Sequence, residues 1–428
     1  MTKAVFLAFL TLPAILPEAH AAESAIPFSE IESLQGAVQQ KTAHYEIADT
    51  VRISGPYYVF AVKAAHGEYE VESVAKLTKV CHEIRAIEEY VATPEGKSAW
   101  KGAKDHMRQI GQGAKAIVKN PKESGKAIGR ALGKTGRQVK NLIKSPFGRR
   151  KKKDAEAEAS RQARSAGGML GGKQARALAY KLQVDVYTDN PYMRGLLDSV
   201  AKQESKGSLG VSAALFVFAP VAGLGYATKG ALTPGAYEEQ TELLIRDNHA
   251  TELKYQLRKR FAEDFGLDKR GDKKQLEELQ VFLDNPNYTP REAAYACLYL
   301  ARLKDAKGIR ETVNHLAAVA DQATAQFLIR QLELYSAAHQ GGRTVSELKT
   351  SGTRIVTTGA DGKGFALVPY DFVAANEAMN AERDALVDAG VTTFSVTGDA
   401  EKAFVEQSDA KGIAVKGLIL REDAFHAQ

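Results

Sequence analysis

The sequence predicts a mostly helical α+β protein, because the hydrophobic period changes several times along the chain. Short runs of alternating apolar and polar residues in 51–74 indicate strands, and a 3.6-residue period follows them. From 173 to about 340 the period stays helical, and beyond 341 strands and helices alternate. The predicted divisions are a signal peptide over 1–21, a small α/β unit over 22–100, a basic amphipathic arm and linker over 101–172, a helical domain over 173–340 and a small α/β domain over 341–428.

A short apolar run near the N-terminus predicts export from the cytoplasm. Residues 4–16 are mostly apolar behind Lys3, and Ala19 and Ala21 place small side chains at the two positions that a signal peptidase reads. We therefore expect cleavage after Ala21 and a periplasmic or secreted location. No cysteine follows this position directly, so a lipid anchor on a leading cysteine is not expected.

The chain that remains after cleavage is too long for one compact core, and its two cysteines are too few to organise it through disulfides. Cys81 lies on the apolar face of a predicted helix, and Cys297 lies between Ala294 and Leu300 in another. We expect buried free thiols. A disulfide between the two cysteines and a reactive nucleophile are the alternatives.

The N-terminal unit is predicted to be a small sheet covered by one helix. A helical fragment is expected around 31–40, and strands are expected over 51–54, 57–62 and 69–74. Apolar residues then recur every three or four positions over 74–91, which predicts the covering helix.

The helical domain contains an uncharged segment, 207–228, that is just long enough to cross a bilayer as a helix. Because it contains Pro220 and several glycines, a buried hairpin that turns at Pro220 is preferred over a membrane-inserting segment. Short helices with brief connections are typical of a HEAT-like repeat or of a bundle. Further helices are predicted over 234–265, 273–283, 290–303, 308–319 and 322–338, with starts at Thr289 and Asp305.

The C-terminal unit is predicted to hold a small, largely parallel sheet. Strands over 354–358 and 365–369 are separated by a glycine-rich connection that favours a hairpin. The predicted continuation is a helix over 374–389, a strand over 392–396, a helix over 400–409 and a strand over 413–420.

A basic amphipathic helix is predicted between Pro121 and Pro146, with basic residues on one face, apolar residues on another and glycines at every fourth position from Gly125. Over 101–153, 17 Lys and Arg residues meet two acids, a net charge of +15. The whole chain carries +6, so the remainder carries −9 and the protein is an acidic body with one basic arm. The predicted surface-binding residues are Lys115, Lys119, Lys122, Lys126, Arg130, Lys134, Arg137, Lys140 and Lys144.

The arm has several interpretations. Its apolar face could pack on the protein's own acidic body, which would be an intramolecular docking. A basic face beside an apolar face also suits an anchor to anionic lipid or to an envelope polymer, or a protein partner. Nucleic acid is not favoured, because only Trp100 and Phe147 at the edges of the arm offer stacking surfaces and the compartment is wrong.

No motif for catalysis occurs, so no catalytic residue, cofactor or metal site is predicted. The segment 129–135 resembles a phosphate loop, but it has three residues between its glycines where that motif needs four. The histidines are isolated, and neither a His-Glu-x-x-His nor a Gly-x-Ser-x-Gly pattern is present.

Two acids in the C-terminal unit are candidate ligand residues. Asp371 follows one predicted strand and Asp399 follows another, and open parallel sheets bind ligands at such strand ends. The alternative is that Asp371 closes its strand and Asp399 caps a helix that begins at Ala400.

Four groups of residues resemble a family of secreted bacterial proteins whose activity is not established. The resemblance implies a secreted or envelope location and supplies no catalytic residue. Its residues are Glu83-Ile84 with Ala86-Ile87, Asp185 with Tyr187-Thr188-Asp189-Asn190-Pro191, Phe282-Leu283 with Asn285, and Thr397-Gly398 with Gly412-Ile413-Ala414-Val415.

The sequence therefore predicts a non-enzymatic secreted or periplasmic protein that binds an anionic surface or a protein partner through its arm. One alternative is a small-ligand binder or enzyme that uses the C-terminal unit through Asp371 and Asp399. Another is a membrane-active secreted protein that uses 207–228.

Overall fold

The computed structural model describes residues 25–34, 38–104, 172–205, 236–267 and 272–417. Buried apolar side chains of these residues form three core clusters. Most of the described residues are helical, and strand-containing units lie at both ends of the chain. The predicted class, α+β and mostly helical, is confirmed.

The N-terminal unit is an antiparallel five-stranded sheet covered by a helix. Its elements are β1 (Ala25–Pro27), β2 (Tyr45–Ile47), β3 (Thr50–Ser54), β4 (Tyr57–Ala64), β5 (Gly67–Glu72) and α1 (Val74–Val91). β2 and β3 pair with different ends of β4, and β5 pairs along most of its length. Leu77, Cys81 and Ile84 of α1 are buried in the core of this unit, which confirms the predicted covering helix.

The helical fragment predicted around 31–40 is confirmed only as a short 3-10 helix, and its extension to residues 38–40 is wrong. This 3-10 helix spans Glu32–Leu34, and another, Phe28–Glu30, comes directly before the predicted stretch. The buried apolar residues here are spaced by three positions, which matches the three residues per turn of a 3-10 helix.

The middle of the described chain is a stack of helices. They are α2 (94–104), α3 (Lys173–Leu182), α4 (Pro191–Ser205), α5 (Ala236–Asp247), α6 (Ala250–Phe265), α7 (Lys273–Leu283), α8 (Pro290–Arg302), α9 (Ile309–Ala317) and α10 (Gln322–Gln340). α7 packs on α9, α8 packs on α10, and α6 contacts both α7 and α8. Contacts between next-but-one helices are typical of stacked helix pairs.

Two predictions about helix boundaries are wrong. The single helix expected over 234–265 is broken after Asp247, and the ring of His249 accepts the N–H of Glu252 to cap the second helix. α9 starts after Gly308, in agreement with the predicted range 308–319, and the suggested start signal at Asp305 is wrong. The φ of Gly308 is +84°, which only glycine adopts readily. The predicted start at Thr289 is confirmed as a capping box with Glu292.

The C-terminal unit is a mixed five-stranded sheet in the order β12-β10-β8-β7-β6. Its elements are β6 (Glu347–Ser351), β7 (Arg354–Thr358), β8 (Gly364–Val368), β9 (Phe372–Val373), α11 (Glu377–Asp388), β10 (Val391–Val396), β11 (Asp399–Ala400), α12 (Lys402–Asp409) and β12 (Ala414–Lys416). β8, β10 and β12 run parallel, while β6, β7 and β8 are antiparallel. β6 was not predicted, because Leu348 is its one buried side chain.

The two faces of this sheet belong to different cores. Ile355, Phe365 and Leu367 pack into the core of the helical stack, whereas Val356 and Val368 belong to the core under α11 and α12. The helical core therefore continues across the predicted division at 340, which stays a prediction as a domain boundary.

Within the described residues, no helix has both the length and the apolar character needed to cross a bilayer. The segment 207–228 lies outside the described residues.

Candidate ligand site between the N-terminal and helical units

The nine predicted surface-binding residues all lie outside the described part of the chain. They are Lys115, Lys119, Lys122, Lys126, Arg130, Lys134, Arg137, Lys140 and Lys144. Their role stays a prediction.

The structure brings Asp371 and Asp399 together, at a joint with the N-terminal unit. The buried carboxylate of Asp371 accepts the backbone N–H groups of Tyr58 (3.2 Å) and Val74 (3.0 Å) through Oδ2. The hydroxyl of Tyr58 donates to Oδ2 of Asp399 at 3.1 Å. In return, Pro56 O accepts the N–H groups of Asp371 and Phe372 at 3.0 and 3.1 Å. Both acids therefore hold the N-terminal sheet against the C-terminal unit.

Asp399 does not cap the helix that follows it. α12 begins at Lys402, its N-cap residue is Glu401, and Asp399 lies in the short strand β11. Gly398 must approach the carbonyl of Asp371 so closely that a Cβ atom at this position would collide with it. Glycine is thus required where the two segments meet.

Burial raises the pKa of Asp371 to about 7, although the N–H groups of Val74 and Tyr58 oppose the shift. The two N–H groups stabilise the charged form of Asp371, but less than its removal from water destabilises that form. Among the described residues, no three His, Cys, Asp or Glu side chains converge so as to hold a metal ion.

A second group of charges lies between α1 and the loop that connects α3 to α4. Nζ of Lys79 is 3.3 Å from Oδ2 of Asp185 and 3.9 Å from Oδ1 of Asp189. Oδ1 of Asp185 also accepts the N–H of Tyr187 at 2.8 Å. This ion pair joins the N-terminal unit to the helical stack.

Glu83 lies one turn beyond Lys79 on α1 and is completely buried. Burial raises its pKa to about 7, and the charge of Lys79 opposes the shift. Thr188 and Asn190 lie near enough to lower this pKa slightly. Within the described residues, however, neither carboxylate oxygen has a partner at hydrogen-bond geometry. Glu83 is therefore an acid that changes charge near neutral pH.

Asp185 shows the opposite balance. Its burial favours the neutral acid, but the ammonium of Lys79, the guanidinium of Arg291 and the N–H of Tyr187 outweigh that effect and lower its pKa. Arg291 in turn donates to Glu242 at 2.6 Å, and Tyr295 also bonds this carboxylate. A chain of buried and partly buried charges therefore runs from α1 through α8 to α5.

A group of aromatic side chains around His66 lies near Glu83, whose charge acts on Tyr69. Nε2 of His66 is 2.5 Å from the hydroxyl of Tyr69, and the His66 ring makes edge contacts with Tyr192 and Trp100. Burial lowers the pKa of His66, and the nearby carboxylate of Glu88 opposes the shift. His66 is consequently held largely neutral at pH 7.

A cavity of about 480 Å³ opens beside this network, between the N-terminal sheet, α1 and the start of α4. Tyr69, Lys79 and Asn190 line it on the side of the buried network. Oδ1 of Asn190 accepts the N–H of Tyr192 at 3.0 Å, which fixes the orientation of the amide. Its charged lining residues are Arg52, Glu70, Glu72, Lys76, Lys79 and Asp189.

Sequence reasoning did not find this site, because its charged residues are about one hundred positions apart in the chain. Lys79 and Glu83 occupy what look like the polar positions of an amphipathic helix. One signal was available: the segments that resemble the secreted bacterial family include Glu83, Asp185 and Asn190. The structure places these three residues around one junction.

The two cysteines are free and buried, in different cores. Burial raises the pKa of each thiol to about 12. The predicted buried free thiols are thus confirmed over the disulfide, and the shifted pKa does not favour a nucleophile.

Comparison of the chain with protein-family models, with curated proteins and with solved structures finds no match. The resemblance to a secreted bacterial family stays a prediction.

Proposed function

We propose that this protein is a non-enzymatic binding protein and that the cavity beside Lys79 binds a small zwitterion, such as a free amino acid or a short peptide. Its volume of about 480 Å³ suits a small-molecule site. A ligand of this class offers one carboxylate and one ammonium group.

The observation that supports this proposal is a pair of opposite charges, Lys76 and Glu72, on the wall of this cavity. Arg52 is paired with Glu70 at 2.7 Å, and Lys79 is held by two aspartates. Lys76 and Glu72 also line the cavity, and neither forms a salt bridge with any other described residue. Lys76 would meet the ligand carboxylate, and Glu72 would meet the ammonium group.

The test is calorimetric titration of the full-length protein with a panel of amino acids and dipeptides. Lys76→Met and Glu72→Gln should each weaken binding of the best ligand by about tenfold or more, which corresponds to ~1.4 kcal/mol. Lys63→Met and Glu68→Gln remove the same charges from exposed positions of the same sheet, outside the cavity, and should bind normally. No binding by the panel, or cavity variants that behave like these controls, would refute the proposal.

The charge distribution supports a second function. The +15 charge over 101–153 contrasts with −9 on the remainder of the chain. Each basic residue near an anionic membrane surface contributes about 1 kcal/mol. This charge supports our second proposal, that the arm docks on anionic lipid or an envelope polymer in the periplasm or outside the cell. The acidic body and a protein partner are the competing acceptors.

Vesicle co-sedimentation tests the arm. The parent should bind vesicles that contain phosphatidylglycerol at low salt and release them at high salt. A variant with glutamine at the nine basic positions, and a deletion of 105–153, should not bind. The deletion spares Ala103, which is buried in the helical core. Equal binding by parent and variants would refute anchoring.

Dye leakage from these vesicles would instead favour the membrane-active alternative that rests on 207–228.

A further inference from the structure

A second cavity, of about 200 Å³, lies between α5, α6 and α8. Most of its wall is apolar, and Leu244, Leu257, Phe261 and Leu298 contribute to it together with the thiol-bearing Cys297. An apolar cavity of about 150 Å³ is large enough to hold benzene. The available space therefore suits one small ring or a short branched chain.

The cavity also has a cationic side. Arg302 lines it, and the side chain of this arginine is 10% exposed. One guanidinium nitrogen, Nη2, is paired with Glu238. Nε and Nη1 are buried without a hydrogen-bond partner among the described residues. A buried guanidinium with unused N–H groups strongly favours a further acceptor.

The remaining charged residues of the wall are two cations and one acid. Arg260 and Lys304 line the cavity as well, against one acid, Asp264. An anionic head group is thus favoured over a cationic one.

We propose that this cavity binds a small carboxylic acid with an apolar body of about the size of a benzene ring, whose carboxylate pairs with Arg302. This site is separate from the cavity of about 480 Å³ beside Lys79, which we call the junction cavity, and it takes a different class of ligand. The apolar walls bury the body of the ligand, and the guanidinium fixes its orientation. A neutral ligand of equal size brings no negative charge to Arg302, so its bond to the guanidinium would be weaker than the charge-assisted bond of a carboxylate.

Cys297 provides a direct test, because it lines the cavity whereas Cys81 lies in the N-terminal core. The rate at which methyl methanethiosulfonate modifies Cys297 in the full-length protein is followed by mass spectrometry, with benzoate or benzyl alcohol present. Benzoate should slow the modification of Cys297 by about tenfold at saturation, whereas benzyl alcohol at equal concentration should have little effect. Modification of Cys81, which is buried away from the cavity, would show that the protein is unfolding.

Variants separate charge from shape. Arg302→Met should abolish the preference for benzoate, and Arg310→Met, which breaks a surface pair with Glu278, should keep it. Ala301→Leu fills the cavity with Arg302 intact and should remove protection, so the test survives if Arg302→Met does not fold. Equal protection by benzoate and benzyl alcohol, or no protection by either, would overturn the proposal.

Discussion

Two acids near one lysine differ in pKa, and the reason is geometric. Asp185 lies 3.3 Å from Nζ of Lys79, and its pKa is lowered. Glu83 is buried more completely, has no ion pair at this distance among the described residues, and its pKa is raised to about 7. Lys79, Arg291 and the N–H of Tyr187 together therefore outweigh burial for Asp185, whereas burial prevails for Glu83.

The pKa of Glu83 predicts how stability depends on pH. Its ordinary value is 4.5, so the folded state binds more protons than the unfolded state between pH 4.5 and about 7. Stability should fall as the pH rises through this window, by at most roughly 3.5 kcal/mol at about 1.4 kcal/mol per pKa unit. Asp371 acts in the same direction.

Glu83→Gln removes the contribution of Glu83 because glutamine stays neutral. In urea unfolding, this variant should be more stable relative to the parent at pH 8 than at pH 5, by about 2–3 kcal/mol. Glu68→Gln, at an exposed position, should change nothing at either pH. A Glu83 variant that loses as much stability at pH 8 as at pH 5 would contradict this assignment.

The candidate residues illustrate what sequence could predict. Asp371 and Asp399 follow strands, so their proximity could be predicted from topology alone. Their contacts with Tyr58 could not, because more than 300 positions separate the partners and no local pattern encodes that packing. Glu83 and Asp185 were missed for the same reason.

At the scale of elements, α10 is joined to the C-terminal sheet by polar groups inside an apolar interface. Gln331 donates to Leu367 O at 3.0 Å and accepts the N–H of Ile355 at 3.0 Å. The Tyr335 hydroxyl donates to Ile355 O at 2.7 Å and accepts the N–H of Leu367 at 3.1 Å. These side chains satisfy backbone groups of β7 and β8 that pairing between the two strands leaves free.

Loss of these bonds should be costly. Gln331→Leu leaves the buried N–H of Ile355 without an acceptor, and we expect about 2–4 kcal/mol of destabilisation. Gln340→Leu, at the exposed end of the same helix, should cost less than about 0.5 kcal/mol. Urea denaturation of both variants measures the difference, and equal stabilities would show that the bonds to the sheet contribute nothing.

Most helices and strands followed from hydrophobic period and capping signals, as α1 and the capping box at Thr289 illustrate. The errors have local causes. Leu348 alone is buried in β6, so the strand lacks an alternating pattern. The break after Asp247 has no proline or glycine to mark it, and only the cap at His249 reveals it.

At the scale of the whole molecule, the N-terminal unit contacts both other units. It is joined to the helical stack through Lys79 and Asp185, and to the C-terminal unit through Asp371. Because the ligand cavity lies beside the first of these contacts, its shape depends on how the units are held together. The fold class could be predicted from sequence, but this junction could not, since it consists of contacts between distant segments.

Asp371→Ala should loosen the second contact, because it leaves the N–H groups of Tyr58 and Val74 without their acceptor. We expect a loss of about 2–4 kcal/mol. Asp371→Asn keeps an acceptor oxygen and should lose less. The exposed Asp388→Ala is the control. The free energy of unfolding of the three variants is measured by chemical denaturation. Equal values for Asp371→Ala and Asp388→Ala would contradict this role.

The central claim is that the junction cavity recognises a zwitterion, and one titration tests it most directly. The best-binding amino acid is compared in a calorimeter with its N-acetyl amide, which has the same side chain and no charge at either end. We predict that the free amino acid binds full-length protein and that the doubly capped compound binds at least about tenfold more weakly. Equal affinity for the two compounds, or no heat with any amino acid, would contradict the claim.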